Sequence, residues 1–446
     1  MRRPDVIILG AGAAGLAAAQ ILSGKGCSVL LLEARDRIGG RILTLHDHAF
    51  GAPVELGAEF IHGRPDVTWK LVREAKLTAF DLPFDHRYRH KGHLAHLPDI
   101  ANELGKVMGG LAHLGRRDMS FAQYLRDRHS SPDLRDGRRF AINFVEGFDA
   151  ADPERISAKS LAEEQQGIGD VGEESQFRIL GGYGPLIEYL RKSLDTKRVE
   201  IRLQTTATEV CWRRSNVEIR TNDFNRPIIF RAPRVLITLP VGILQIPPEK
   251  IGSLHFKPDI PQKRRAAMQL GSGPIVKAVL KFREAFWEDK AVARSARSDP
   301  GIRDAVFLHH PDAPFPTWWT ARPLRLPILT AWAGGPKALA LAGLSKQALK
   351  QTAIESLAEL FGQRASRLSS LLERFHAHDW ASDPMSRGAY SYVTVGGSRA
   401  RGLLAKPIEG TLFFAGEATD TSGQASTVAG ALASGQRAAE ELLDAM

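Results

Sequence analysis

The sequence predicts an α/β fold of mixed type, built as two interleaved domains. Three observations predict it. Val6–Ile7–Ile8–Leu9 runs into GAGAAG (Gly10 to Gly15), and a second apolar run ends at Glu33. Buried-type strands recur mid-chain at residues 234–240 and near the end at residues 410–417. Charged helical stretches and short alternating strands lie between them. The order strand, glycine turn, helix, strand, acid is that of a Rossmann-like dinucleotide-binding domain. That domain is assigned to residues 1–70, 178–250 and 379–446. A substrate domain of mixed sheet and helices is assigned to residues 71–177 and 251–378.

The glycines have distinct tasks. Gly10 permits the tight turn, Gly12 lets the backbone approach a pyrophosphate, and Gly15 lets the helix pack on the strand. The helix N-terminus offers free N–H groups and partial positive charge to the phosphates. Glu33 follows Gly10 by 23 residues (33 − 10), near the spacing of about 20 at which an acid meets a ribose hydroxyl. Residues 1–19 also have the basic start and apolar middle of a secretory leader. The glycine positions, and the apolar pattern restarting at residues 28–32, favour the nucleotide reading.

The elements follow in order. Residues 71–177 are charged and helical, as at residues 120–125. Short strands alternate at residues 199–203 and 217–220, and residues 234–240 form a buried strand ended by Pro240. A strand covers residues 275–280 and a helix residues 346–361. Residues 410–417 enter a second glycine turn, and a small-residue helix covers about 427–443.

The chain has 446 residues, 43% hydrophobic, with a net charge of +10. No apolar run reaches the roughly 18 residues of a membrane span, so no membrane partner is expected. The basic residues are scattered and not interleaved with aromatics, so no nucleic-acid partner is expected either. Cys27 and Cys211 have no metal spacing and make no disulfide scaffold, which makes the reducing cytoplasm the expected location.

Taken together, GAGAAG, Glu33, Gly39–Gly40–Arg41, Leu56–Gly57–Ala58, Thr238–Leu239–Pro240 and FFAGEAT (Phe413 to Thr419) resemble the flavin-dependent amine oxidases. That family includes monoamine oxidases, polyamine oxidases and lysine-specific histone demethylases, and the resemblance runs the length of the chain. It implies FAD, held by Gly10, Gly12, Ala14, Gly15, Glu33, Arg35, Gly40 and Arg41. Gly57, Ala58, Glu59 and Phe60 match positions beside the flavin ring. Val210 matches a position whose backbone meets the adenine. Gly416 and Glu417 match the ribityl–pyrophosphate region, and Thr427 and Val428 approach the ring.

Lys277, within an apolar strand, matches the lysine that holds a water against flavin N5. Trp380, in WASDPMSRGAYSYV, matches the wall of flavin and substrate channel, and Tyr390 matches one wall of an amine cage. Thr427 stands where monoamine oxidases place the second tyrosine of that cage. His62 matches a substrate-recognition position of polyamine oxidases. Trp318–Trp319 either lines the pocket or packs the substrate domain. Glu163, Glu164, Asp170, Glu173 and Glu174 read as a solvated face able to attract a polyamine.

Monoamine oxidases carry a flavin-bonding cysteine just before the cage tyrosine; here it is Ala389, which implies noncovalent FAD. The implied reaction is oxidation of a small-molecule amine by hydride transfer to N5. Imine hydrolysis then gives a carbonyl product, and O2 or another electron acceptor reoxidises the flavin, giving H2O2 in the case of O2. Two other readings stay open: a carotenoid-desaturase-like or protoporphyrinogen-oxidase-like enzyme on the same scaffold, and a flavin-binding interaction module.

Overall fold

The computed structural model describes residues 3–83, 85–96, 98–115, 117–163, 175–223, 226–250, 252–297 and 300–446. Val6–Leu9 is the middle strand of a five-stranded parallel sheet. Its neighbours are Val29–Leu32 and Arg234–Ile237, with Val199–Arg202 and Leu412–Phe414 at the edges. A parallel sheet is covered on both faces, which is why its strands read as continuous apolar runs. Helices Ala13–Gly24 and Val428–Asp444 pack together over one face. A four-stranded sheet, in the order Arg226–Ala232, Asn216–Asp223, Thr206–Arg213, His255–Lys257, covers the other.

A seven-stranded sheet forms the second layer system. Its order is Leu372–Asp379, Ile275–Phe282, Ile328–Gly334, Thr317–Thr320, Phe307–His309, His86–His90, His93–His96. Ile275–Phe282 is hydrogen-bonded on both edges, and all of its side chains but Lys281 are buried. Helix Lys346–Phe361 packs on this sheet, and helix Arg135–Phe148 approaches strand Ile328–Gly334.

Two parts depart from the sequence reading. Residues 71–177, read as helical, contain strands Ala79–Leu82, His86–His90 and His93–His96. Their alternation is masked because the buried side chains include Arg87 and Tyr88. The edge at residue 250 is also overrun: His255–Lys257 pairs in parallel with Thr206–Arg213. Two short pairings stitch the layers together. Tyr390–Val393 joins Leu270–Gly273, and Phe60–His62 joins Gln176–Ile179.

The helix crossing over the parallel sheet depends on a glycine. A Cβ at Gly435 would stand 2.3 Å from the Ala14 carbonyl oxygen. Gly435→Val should therefore destabilise the protein by about 1–3 kcal/mol, read as a lower Tm by calorimetry. Gly24→Ala, where a Cβ meets nothing within 4 Å, should leave Tm unchanged or raise it.

Candidate active site

The site begins at the glycine turn. Gly10 has φ +107°, and a Cβ there would lie 2.6 Å from Thr238 Oγ1. A Cβ at Gly15 would lie 2.0 Å from the Gly10 carbonyl oxygen, so Gly15 sets the packing of helix on strand. At Gly12 a Cβ would meet nothing nearer than 4.0 Å; this glycine opens onto a cavity. Behind it, the Glu33 carboxylate accepts hydrogen bonds from the backbone N–H groups of Ala11 (2.8 Å) and Arg35 (2.9 Å).

The cavity has a volume of about 1150 Å³ and runs from this turn to the seven-stranded sheet. That exceeds the roughly 300–1,000 Å³ of an ordinary ligand pocket, leaving room for a dinucleotide and a second molecule. Gly10, Gly12, Ala14, Glu33, Arg35, Gly40 and Arg41 line one end. Gly57, Ala58, Glu59, Phe60, Gly416, Glu417, Thr427 and Val428 line the middle, with Trp380, Tyr390, His62 and Lys277. Gly15 lies behind the turn. Val210 is not on the wall: it is fully buried in the core between the parallel and four-stranded sheets. Thr205, Thr206 and Ala207 form the wall there instead, nearer the start of the same strand.

Two arginines behave differently. Arg41 donates to Glu417 Oε1 at 2.9 Å and to the Ala389 carbonyl at 2.6 Å. Glu417 also accepts from the Ser391 hydroxyl at 2.6 Å, and Arg401 donates to that hydroxyl. Burial pushes the Glu417 carboxyl up, but the charges of Arg41 and Arg401 outweigh it and hold the group below the usual range. Arg35 lines the cradle end of the cavity beside Glu33 and also forks onto Asp383 at 2.7 and 3.1 Å, standing over the Trp380 ring. A bidentate carboxylate is the stronger partner for a guanidinium, so this arginine fixes the WASDP segment.

Lys277 is fully buried. Its Nζ donates to Glu59 Oε2 at 2.7 Å and to the Gly57 carbonyl at 3.1 Å. Glu59 Oε1 accepts from Trp319 Nε1 at 3.1 Å and pairs with Arg178 at 2.8 Å. Burial raises the Glu59 carboxyl, but Lys277 and Arg178 overcome this and keep it ionised. The lysine thus sits against the middle of the cavity, 5.1 Å from the centre of the Trp319 ring. Glu59 was legible as a site residue; Arg178 was not, since nothing in QFRI sets it apart from a surface strand.

Aromatic side chains form the remaining walls. The Tyr390 hydroxyl donates to the Phe148 carbonyl at 2.6 Å, and Trp380 Nε1 to the Leu56 carbonyl at 2.8 Å. Thr427 caps helix Val428–Asp444 by accepting from the Gly430 N–H. His62 lies edge-on to Phe148, at 5.5 Å, and burial lowers its pKa to about 4, so it is neutral above pH 5. The paired tryptophans divide: Trp319 lines the cavity, whereas Trp318 is in the core and donates to the Phe315 carbonyl. Strand alternation sends neighbours to opposite faces. Sequence reasoning missed Asn143, Phe144, Phe148, His86 and His309 as wall residues. Glu163 is exposed near the mouth; Glu164, Asp170, Glu173 and Glu174 lie outside the described residues.

The open cradle at Gly12, the acid at Glu33 and the arginine–carboxylate pair at Glu417 fit FAD. Comparison with known proteins agrees. Residues 13–443 match the model of the flavin containing amine oxidoreductases, and the chain belongs to that family. Rice (Oryza sativa subsp. japonica) polyamine oxidase 3 is 30% identical, over 98% of this chain and 89% of the relative. Human lysine-specific histone demethylase 2 is 28% identical over 98% of this chain, but over 53% of its own length. Among solved structures, putrescine oxidase bound to putrescine gives a TM-score of 0.78 at 22% identity. Cyclohexylamine oxidase from Brevibacterium oxydans gives 0.78 at 21%, and each structure covers 99% of both chains. The protein is an FAD-dependent amine oxidoreductase.

The buried neutral His62 has a consequence for stability. Its folded pKa lies below the unfolded value of about 6.5, so the unfolded state takes up the proton first. The stability it contributes is complete above pH 6.5 and is lost as pH falls towards 4. His62→Phe should therefore lose less Tm than the wild type between pH 7 and pH 5 in paired melts.

Proposed function

We propose that the protein oxidises a small aliphatic amine at its C–N bond, with noncovalent FAD and with O2 as the final acceptor. The observation that carries this reading is the junction of a fully buried lysine, Lys277, with an aromatic-walled cavity joined to the dinucleotide cradle. Bound FAD supplies the two-electron acceptor. The protein's residues do the rest. Gly10, Gly12 and the N-terminus of Ala13–Gly24 orient the pyrophosphate, and Glu33 the ribose.

An amine gives up electrons only as the neutral base. Rings of Tyr390, Trp380, Phe60 and Trp319 would draw an ammonium in by its charge, and the dry site would then favour its neutral form. Lys277 holds a proton at Nζ, fixed by Glu59 and the Gly57 carbonyl, and can hand it on when O2 is reduced. Trp319 and Trp332 exclude bulk water around it. Ala389 offers no sulfur for a covalent bond to the flavin.

An anaerobic screen of mono-, di- and polyamines should bleach the yellow flavin with at least one of them; no bleaching by any amine overturns the reading. Acid precipitation should release all of the flavin into the supernatant, and flavin held in the pellet overturns the noncovalent assignment. Lys277→Met should slow reoxidation by O2 on the order of 10²-fold, measured by stopped flow, while flavin affinity changes little. Arg178 remains to pair with Glu59 in that variant, so the fold is preserved.

A further inference from the structure

At the far end of the cavity lies a group of polar side chains that the reaction above does not use. Asn143 is 4% exposed and lines the cavity, yet its Oδ1 has no hydrogen-bond partner. An unpaired buried amide oxygen costs about 1–3 kcal/mol. Asn143 lies on helix Arg135–Phe148 between Phe140 and Gly147, three and four residues away, so the three share one face. Phe140 meets the edge of Tyr88 at 5.5 Å, and Tyr88 stacks on His309 at 4.2 Å. On the next turn, a Cβ at Gly147 would stand 3.6 Å from Thr317 Oγ1. Asn143 therefore faces the sheet where His309 and Thr317 emerge.

Those residues form a relay. His86 Nδ1 lies 3.0 Å from His309 Nε2, and His309 Nδ1 lies 3.3 Å from Thr317 Oγ1. All three line the cavity. A chain of two neutral imidazoles and a hydroxyl can run in either direction, offering a donor or an acceptor as the tautomers require. Burial keeps both imidazoles neutral: His86 is lowered to about 4, and His309 well below its ordinary value.

We propose that Asn143, His86, His309 and Thr317 form a distal subsite for the uncharged hydrogen-bonding end of the amine substrate, a hydroxyl or amide group. This inference rests on the amine-oxidase reading for the near end of the substrate. A second ammonium is disfavoured because no carboxylate belongs to the group. Glu59 is matched by Lys277 and Arg178, and Glu146 is bonded to Lys337. Asp149 also lines the cavity, but it lies six residues further along, about 9 Å up the helix axis, and stands beside Tyr390 rather than beside this group. A buried ammonium without a counter-charge loses more hydration than neutral acceptors return.

The test uses the FAD-loaded protein with three ligands at pH 8: 4-aminobutan-1-ol, 1,4-diaminobutane and n-butylamine. Binding is read from the fluorescence of the cavity tryptophans under anaerobic conditions, and turnover from flavin bleaching. The wild type should bind the amino alcohol on the order of tenfold more tightly than the diamine or the alkylamine. Asn143→Leu should erase the preference over butylamine. Asn143→Asp should invert the order in favour of the diamine. A wild type that prefers the diamine, or variants that leave the order unchanged, overturns the subsite. Ligands that bind in the stated order but never bleach the flavin overturn the proposed function and leave the subsite standing.

Discussion

The buried ion cluster of Lys277, Glu59 and Arg178 ties the layers of the molecule together. Its members come from three stretches of chain: strand Ile275–Phe282, second in the seven-stranded sheet, the residue before strand Phe60–His62, and strand Gln176–Ile179. Taking such charges out of water costs several kcal/mol each, and only close partners offset it. Lys277 has a carboxylate and a carbonyl; Glu59 has two cations and an indole N–H. Removing Glu59 would leave two buried cations unmatched, so strand Ile275–Phe282 and the paired strands Phe60–His62 and Gln176–Ile179 are held in one relation. The cavity exists because that relation is fixed.

The same constraint places the cavity at the mouth of the parallel sheet. Ligands of open α/β sheets bind beyond the carboxyl ends of the strands. Here those ends carry the glycine turn, Glu33, Thr238 and the turn at Gly416, which all reach the wall. The second sheet roofs the opening. The pairing of Tyr390–Val393 with Leu270–Gly273 holds Tyr390 against this roof, and its hydroxyl is pinned to the end of helix Arg135–Phe148. The aromatic walls are thus held from both sides.

What was legible in the sequence was what backbone demands. Gly10, Gly12 and Gly15 announce a strained turn and a close approach, and apolar runs announce a covered parallel sheet. Helix Lys346–Phe361 fell where its period placed it. Strand His86–His90 was illegible for a physical reason. Its two faces are both covered: His86 and Tyr88 line the cavity while Arg87 is buried on the other side, where alternation looks for aliphatic or exposed polar side chains. Val210 lies in the core, and its strand reaches the wall at Thr205, Thr206 and Ala207, a register along the strand that the motif alone does not set. Arg35 pairs with Asp383, more than three hundred residues later, a partner that no local pattern reveals.

A further regularity joins the two halves of the site. Each of the two buried carboxylates in its middle lies between two cations: Glu59 between Lys277 and Arg178, Glu417 between Arg41 and Arg401. Each trio carries one net positive charge around its carboxylate. Aromatic rings, neutral histidines and amides make up much of the wall between and beyond them, with Asp149 a carboxylate of that wall beside Tyr390. Such an arrangement opposes a second cation beside either trio and favours negative charge developing between them. A cofactor held by these residues that accepts two electrons would have its added negative charge stabilised there. The same field that eases its reduction makes a neutral substrate end the better tenant of the far wall.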